Sequence, residues 1–209
     1  MKRFFEKMKS RSESAEERQS LKKIPTEKGP RENTDPTNIK MIIVSDNHMK
    51  TDGLKKVLAH HAEETDYFLH CGDSNLDPDH NMMKPFITVK GNTDFMQNYQ
   101  DEEEVRLPNG ALIWITHGHK HQVDRGVDML LRYANILEPF PSIILYGHTH
   151  IKDVKMLGDC LIINPGSIST PRDGIIRTYV KLVMTPDAYR VTILDVADHS
   201  VVKEFQFLK

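Results

Sequence analysis

Five times along this chain a short apolar run ends abruptly in a cluster of ligand-type side chains. Met41-Ile42-Ile43-Val44 leads into Ser45-Asp46-Asn47-His48, and Tyr67-Phe68-Leu69 into His70-Cys71-Gly72-Asp73. Phe86-Ile87-Thr88-Val89 leads, after Lys90, into Gly91-Asn92-Thr93-Asp94, and Leu112-Ile113-Trp114-Ile115 into Thr116-His117-Gly118-His119. Ile143-Ile144-Leu145-Tyr146 leads into Gly147-His148-Thr149-His150. Short runs of β-branched and aromatic residues bounded by glycine and polar residues read as buried strands. An α/β sheet builds its sites at the carboxyl ends of such strands, because the loops there vary while the strands hold them rigid. His148 and His150, one residue apart after a glycine, project two imidazoles into one small volume, and imidazole is the commonest transition-metal ligand. Two ligands do not fill a coordination sphere, and the other four strand ends supply carboxylate, amide and imidazole to complete it.

The connecting segments fit the same scheme. Leu54, Val57 and Leu58 recur at helical spacing within residues 52–64, with Asp52 as the expected N-cap. Val123, Val127, Leu130, Leu131, Ala134 and Leu137 mark one face of a second helix, stopped by Pro139 and Pro141. Residues 74–84 and 95–103 read as loops that form pocket walls. Beyond His150 short β runs follow at about 151–157, 160–163, 176–184, 189–196 and 201–207, with Gly158, Pro186 and Asp187 at turns. This pattern predicts a mostly antiparallel second half.

Residues 1–38 differ in kind. Their apolar residues are scattered among alternating charges, ten Lys/Arg against seven Asp/Glu, and every histidine lies after them. That composition predicts a disordered or loosely helical N-terminal extension, broken by Pro25, Gly29-Pro30 and Pro36, ahead of one domain over residues 39–209. A formal net charge of −2 lacks the dense Lys/Arg that nonspecific nucleic-acid binding requires. No run reaches the ~18 consecutive apolar residues of a membrane span. Two cysteines, Cys71 and Cys160, form no disulfide framework or CxxC pair, which with the lack of a secretory apolar segment points to a reducing, cytoplasmic setting.

Asp46-x-His48, Gly72-Asp73, Gly91-Asn92-x-Asp94, His117 and Gly147-His148-x-His150, in this order and each after a strand, resemble the calcineurin-like metallophosphoesterase superfamily. The compact length, Thr116-His117-Gly118-His119 and the later Asn164-Pro165-Gly166-Ser167 are similar to its small YfcE-type phosphodiesterase branch. The resemblance covers roughly residues 39–209. It implies an α/β (α+β) fold, a four-layer α/β/β/α sandwich of two mixed β-sheets flanked by helices. It also implies hydrolysis of phosphate esters, most of all phosphodiesters, by in-line attack of a hydroxide bridging two divalent metals. The alternatives it admits are a phosphomonoesterase or nucleotidase, and a non-catalytic binding scaffold like the retromer subunit of the same branch.

Carried over position by position, Asp46, His48 and His150 would hold one metal with Asp73, while Asn92, His117 and His148 would hold the other with the same aspartate as bridge. Nitrogen and oxygen donors without thiolate suit Mn²⁺, Fe, Co²⁺, Ni²⁺ or Zn²⁺, and the resemblance favours Mn²⁺. Asp73 and Asn92 are thereby also catalytic candidates, joined by Asp94, His119 and Arg172. Asp94 would orient the ligand loop, with a role as acid also open, His119 would contact substrate or a ligand or else be an ordinary exposed histidine, and Arg172 could hold a nonbridging phosphate oxygen bidentately. Gly166 and Ser167 are read either as approaching a ligand or as a tight turn. His60, His61, His70, His80 and His121 match no ligand position and are expected to be structural or surface residues, and Cys71 a small buried filler. Thr93 departs from the family pattern, in which a histidine able to protonate a leaving group, or in the small branch a cysteine, stands there. Threonine has no useful acidity near neutral pH. A small phosphate ester is the expected partner, and the sequence leaves homo-oligomerisation open.

Overall fold

The computed structural model describes residues 28–29 and 34–209. Most of the segment 1–38, with its expected disorder or loose helicity, therefore lies outside the described residues. All five strands with polar ends are present: β1 (Ile39–Val44), β2 (Tyr67–His70), β3 (Phe86–Thr88), β5 (Leu112–Thr116) and β6 (Ile143–Leu145). The remaining strands are β4 (Glu102–Arg106), β7 (Lys152–Leu157), β8 (Cys160–Pro165), β9 (Thr178–Met184), β10 (Ala188–Asp195) and β11 (Val201–Leu208).

They form two mixed sheets. One has the order β11-β10-β9-β1-β2-β3 and the other β4-β5-β6-β8-β7. In the first, β1, β2 and β3 run parallel, and β9 to β11 add antiparallel strands beside β1. In the second, β5, β6 and β8 run parallel, with β4 and β7 antiparallel at the two edges. The second half is mostly antiparallel, as its short β runs predict, but it is divided between the two sheets rather than forming one. β8 pairs parallel with β6, because the chain turns from β6 through β7 before laying β8 back beside it. The charged edge strand β4 begins inside the stretch 95–103 that the sequence pattern reads as loop, since Glu102-Glu103-Glu104 carries no apolar alternation. It is fixed by its ladder to β5 and by Trp114 Nε1 donating to the Glu102 carboxylate at 3.1 Å.

The pleat sorts side chains into three apolar layers. Met41, Ile43 and Leu69 of the first sheet meet Ile113, Ile115, Leu145 and Ile163 of the second in the central core. On the outer face of the first sheet Ile42, Val44 and Phe68 pack on Leu54, Val57 and Leu58 of helix α1 (Asp52–His61). On the outer face of the second, Trp114, Ile144 and Ile162 pack on Leu130 and Ala134 of helix α2 (Asp128–Ala134). This is the α/β/β/α order.

Both helices depart from their predicted bounds. Thr51, not Asp52, is the N-cap of α1, and it makes no side-chain cap. The Asp52 carboxylate instead binds Arg177 at 2.7 Å. The stripe from Val123 to Leu137 is not one helix. Val123–Arg125 forms a 3₁₀ turn, and Gly126 at φ 118° breaks the helical path before α2. The apolar period survives the break because Val123, Val127, Leu130 and Ala134 are still buried against the sheet. Parallel pairing within each sheet brings the carboxyl ends of β1, β2, β3, β5 and β6 to a common region between the sheets.

Candidate metal centre

The loops leaving these five strands bring together all seven residues that the sequence pattern singles out as ligands. Asp46 Oδ1 lies 3.3 Å from His150 Nε2 and 4.0 Å from both His48 Nε2 and His117 Nε2. Asp73 Oδ2 lies 3.4 Å from His117 Nε2 and 4.0 Å from His48 Nε2. Asn92 Oδ1 lies 3.0 Å from His117 Nε2 and 2.7 Å from His148 Nδ1. Ligand atoms of Asp46, His48 and His150 lie close enough together to hold one cation, as do those of Asp46, Asp73 and His117. Asp46, Asp73 and His117 are buried, His48 and His148 half-buried and Asn92 exposed, so the cluster opens to solvent on the Asn92 side.

Hydrogen bonds around the cluster fix which atoms face inward. His117 Nδ1–H donates to the Cys71 carbonyl at 2.7 Å, and His150 Nδ1–H to the Thr170 carbonyl at 2.6 Å. His48 Nδ1–H donates to Asn75 Oδ1 at 3.2 Å. A carbonyl oxygen only accepts, so in the neutral imidazole each of these three rings is left with a bare Nε2. The Nε2 atoms of His48 and His150 stand 3.2 Å apart, and buried Asp46 Oδ1 has no hydrogen-bond partner. Converging acceptors without donors repel unless a cation lies among them, and the mixed nitrogen and oxygen set fits a divalent transition metal.

The acid–base behaviour carries the same sign. Burial opposes ionisation of Asp46, yet His150, His117 and Ser45 together hold its carboxyl below the usual range. For Asp73 burial again opposes, and bonds from His117 and Thr93 outweigh it, holding this carboxyl well below the usual range. Against their own burial, His117 and His150 are raised by the facing carboxylates, with Asp73 foremost on His117 and Asp46 on His150.

The backbone is bent to make this centre. Asp46, His48, Asp73, His148 and His150 all have φ between 44° and 69°, the left-handed region that side-chain-bearing residues rarely enter. Such strain, about 1–3 kcal/mol per residue, persists where surrounding bonds over-determine the loop. Those bonds are visible. Asp94, fully buried, accepts the N–H groups of Asp73 (2.9 Å), Gly91 (2.8 Å) and Asn75 (2.6 Å). Thr93 N–H donates to Asp73 Oδ1 at 2.8 Å. Ser167 and Ser169 hydroxyls donate to the Asp46 carbonyl at 2.9 and 2.8 Å, and Asn164 Nδ2 to the Gly147 carbonyl at 2.8 Å. The Asn164-Pro165-Gly166-Ser167 loop therefore grips the β1 and β6 loops. Ser167 is fully buried, and Gly166 approaches Thr178.

The other sequence candidates lie around the rim. His119 is half-buried, its ring 5.4 Å from that of His117 and 6.1 Å from that of His148, and its buried Nδ1 has no partner. Burial first, then the charges of His117 and His148, push its pKa down to about 4, so it is neutral near pH 7. Arg172 is exposed, and its N–H donates to the His150 carbonyl at 3.1 Å. Thr93 Oγ1 is engaged with Asn75, donating to Oδ1 at 3.2 Å and accepting from Nδ2 at 3.1 Å. Sequence reasoning missed Asn75, Ser45 and Asp124, whose contacts with the ligands arise only through folding. His70 is fully buried, bonded to Asn47 at 2.9 Å and accepting Gly72 N–H at 3.1 Å.

A separate group of histidines is committed to packing. His61 Nδ1 pairs with Glu64 at 2.8 Å and its Nε2 with Tyr179 Oη at 2.9 Å, while the same hydroxyl meets His199 Nδ1 at 2.9 Å. His60 stacks on His199 with ring planes 11° apart, a face-to-face arrangement in which the two rings cannot both hold one ion in plane.

Comparison with known proteins agrees with the geometry. Residues 39–186 match the model of the calcineurin-like phosphoesterase superfamily domain. The chain belongs to this superfamily. The Bacillus subtilis protein named "Probable metallophosphoesterase YsnB" is 35% identical over 162 residues, 77% of this chain and 94% of that protein. Among solved structures, a predicted phosphoesterase from Streptococcus pneumoniae matches with TM-score 0.76 and 30% identity, covering 82% of this chain and 98% of that one. The fold is shared as well with Vps29 of Cryptosporidium parvum, with TM-score 0.65 and 17% identity over 83% of this chain and 100% of that one. Among the described residues, no helix is long and apolar enough to cross a membrane.

Proposed function

We propose that this phosphoesterase is a dinuclear metal-dependent phosphodiesterase, with Asp46, His48, His150 and Asp73 holding one divalent ion and Asn92, His117, His148 and Asp73 the other. The observation that carries this reading is the convergence of three bare Nε2 atoms on Asp46 and Asp73, with Asp46 Oδ1 unpartnered. Bound there, two divalent cations lower the pKa of water toward neutrality and offset the negative charge of the phosphoryl oxygens. Mn²⁺ is the ion we favour, on the resemblance and the donor set. Asp73, held by Thr93 N–H on Oδ1 and facing His117 with Oδ2, has one oxygen anchored and one free to bridge. Asp94 has both oxygens committed to backbone N–H groups and acts by holding Asp73 in place, not as a proton donor. His119, neutral and with an unpartnered nitrogen, is placed to bond substrate, and Arg172 at the rim to hold a nonbridging phosphate oxygen.

Thr93 decides the substrate class. Its hydroxyl is tied to Asn75 and has no acidity to lend an alkoxide leaving group. Diesters and activated esters, whose leaving oxygens need less protonation, are therefore favoured over alkyl phosphomonoesters and nucleotides. The net charge of −2 does not favour nucleic acid as the substrate. A second reading, a scaffold with an idle centre as in Vps29-type retromer subunits, draws on the shared fold and on Phe95 and Met96, 80% and 92% exposed beside the Asn92 loop. Purified protein with Mn²⁺ is expected to hydrolyse bis-p-nitrophenyl phosphate, and Asp73→Asn to lose that activity; equal rates in the two would sink the enzyme reading.

A further inference from the structure

His148 is oriented differently from its three neighbours. His48, His117 and His150 each turn Nδ1–H outward to a protein oxygen and present Nε2 to the centre. His148 presents Nδ1, 2.7 Å from Asn92 Oδ1, and its Nε2 lies 2.9 Å from Asp124 Oδ2. We infer that Asp124 is a positioning residue: its carboxylate fixes His148 in the Nε2–H tautomer and turns the Nδ1 lone pair toward the second divalent ion. This assignment rests on the two-ion reading above.

Two acceptors compete for the single proton of neutral His148. Asn92 Oδ1 would take it at Nδ1, closing the lone pair to any ion, whereas Asp124 takes it at Nε2. A charge-assisted bond is roughly twice as strong as a neutral one, so the carboxylate wins. A carboxylate on the far nitrogen also makes an imidazole a stronger donor, and removing such a partner costs about 10–100-fold in metal affinity.

The fold delivers Asp124 to this place by a local device. After β5 the chain makes two 3₁₀ turns, His119–His121 and Val123–Arg125, joined by Gln122 at φ 52°. Val123 is buried and seats on Gly118, where a Cβ would come within 2.8 Å of Val123 Cγ2. Seating Val123 carries the next residue outward, where Asp124 meets His148 with 57% of its side chain still exposed. The stripe of apolar residues explains Val123, and nothing in packing requires a carboxylate beside it.

The test uses full-length protein stripped of metal. Mn²⁺ titration of wild type is expected to show two binding events. Asp124→Ala should weaken one of them about 10–100-fold and leave the other unchanged, because Asp124 touches only His148 among the seven ligands. Asp124→Asn, which keeps an oxygen acceptor but loses the charge that outcompetes Asn92, should fall between wild type and Asp124→Ala. Independently, long-range ¹⁵N–¹H spectra of the metal-free protein in mildly alkaline buffer, with His148 assigned through a His148→Gln variant, should show Nε2–H in wild type and a mixture of the two tautomers in Asp124→Asn. In Asp124→Ala the Nδ1–H form should appear. Unchanged tautomer and unchanged affinities in Asp124→Ala would overturn the assignment while leaving the two-ion centre standing. Wild type that takes up fewer than two ions would instead bring down the proposed function and this role with it.

Discussion

Gly91→Ala adds one methyl group where the loop after β3 presses on Asp73. The new Cβ would stand 2.7 Å from Asp73 Cγ and overlap the Oδ1 atom and the Asp73 N–H. Unstrained carbon atoms sit about 3.5–4.0 Å apart, so the aspartate and its loop must shift by about 1 Å. Relief cannot come from a flexible side-chain end, because the obstruction includes the backbone of Asp73, and Asp73 is itself pinned by Asp94 and Thr93. Forced overpacking of this kind costs about 1–3 kcal/mol. In a chain of this size that lowers the midpoint of thermal unfolding by about 2–4 °C per kcal/mol.

The larger effect falls on the ions, since Asp73 is shared by both proposed sites. In wild type each ion present at 100 times its dissociation constant adds about 2.7 kcal/mol of stability. Thermal melts with and without Mn²⁺ separate the two contributions. Gly91→Ala should show a modest loss without metal, most of the Mn²⁺-dependent rise gone, and diesterase activity down about 100-fold, the scale of a 1 Å misplacement. A variant with the full Mn²⁺-dependent rise and wild-type activity would refute the claim that Asp73 needs this position.

Two further outcomes follow from the same coordinates. Thr93→His should raise turnover of esters with poor leaving groups relative to bis-p-nitrophenyl phosphate, and no gain on slow-leaving substrates would count against the assignment of substrate class to Thr93. His61 makes stability depend on pH: burial pushes its pKa from 6.5 down to about 4, so the folded state binds fewer protons than the unfolded chain in that range. The contribution is therefore complete above pH 6.5 and is lost as pH falls toward 4, on the order of 3 kcal/mol at 1.36 kcal/mol per unit. Denaturant unfolding across that range should show a shallower acid loss in His61→Gln, and equal slopes would exclude His61 as the source.

The polar strand ends were legible because each rests on local information, an apolar run that must be a strand and polar residues at its carboxyl end, while the choice of seven candidate ligands among them came from the family resemblance. The second helix was misread for an equally physical reason. A 3₁₀ turn followed by α2 buries nearly the same stripe as a continuous helix, so apolar period alone does not reveal the break at Gly126. Asp52 has the chemistry of an N-cap, and only the folded chain shows Arg177, far along in sequence, claiming its carboxylate. Edge strand β4 carries its pairing in backbone groups of β5, to which side-chain pattern is blind.

By itself, then, the amino-acid order determined the apolar strands, which side chains stand at their ends and the donor chemistry those side chains offer. Tertiary structure decided the rest: the division of the described strands between two sheets, the left-handed bends at five candidate ligand positions, and the proton placement on His117, His150 and His148. Strand propensity and ligand type are properties of a residue and its near neighbours. The ring nitrogen that keeps its lone pair is set by a carbonyl or carboxylate brought in from elsewhere in the chain, and only folding supplies that partner.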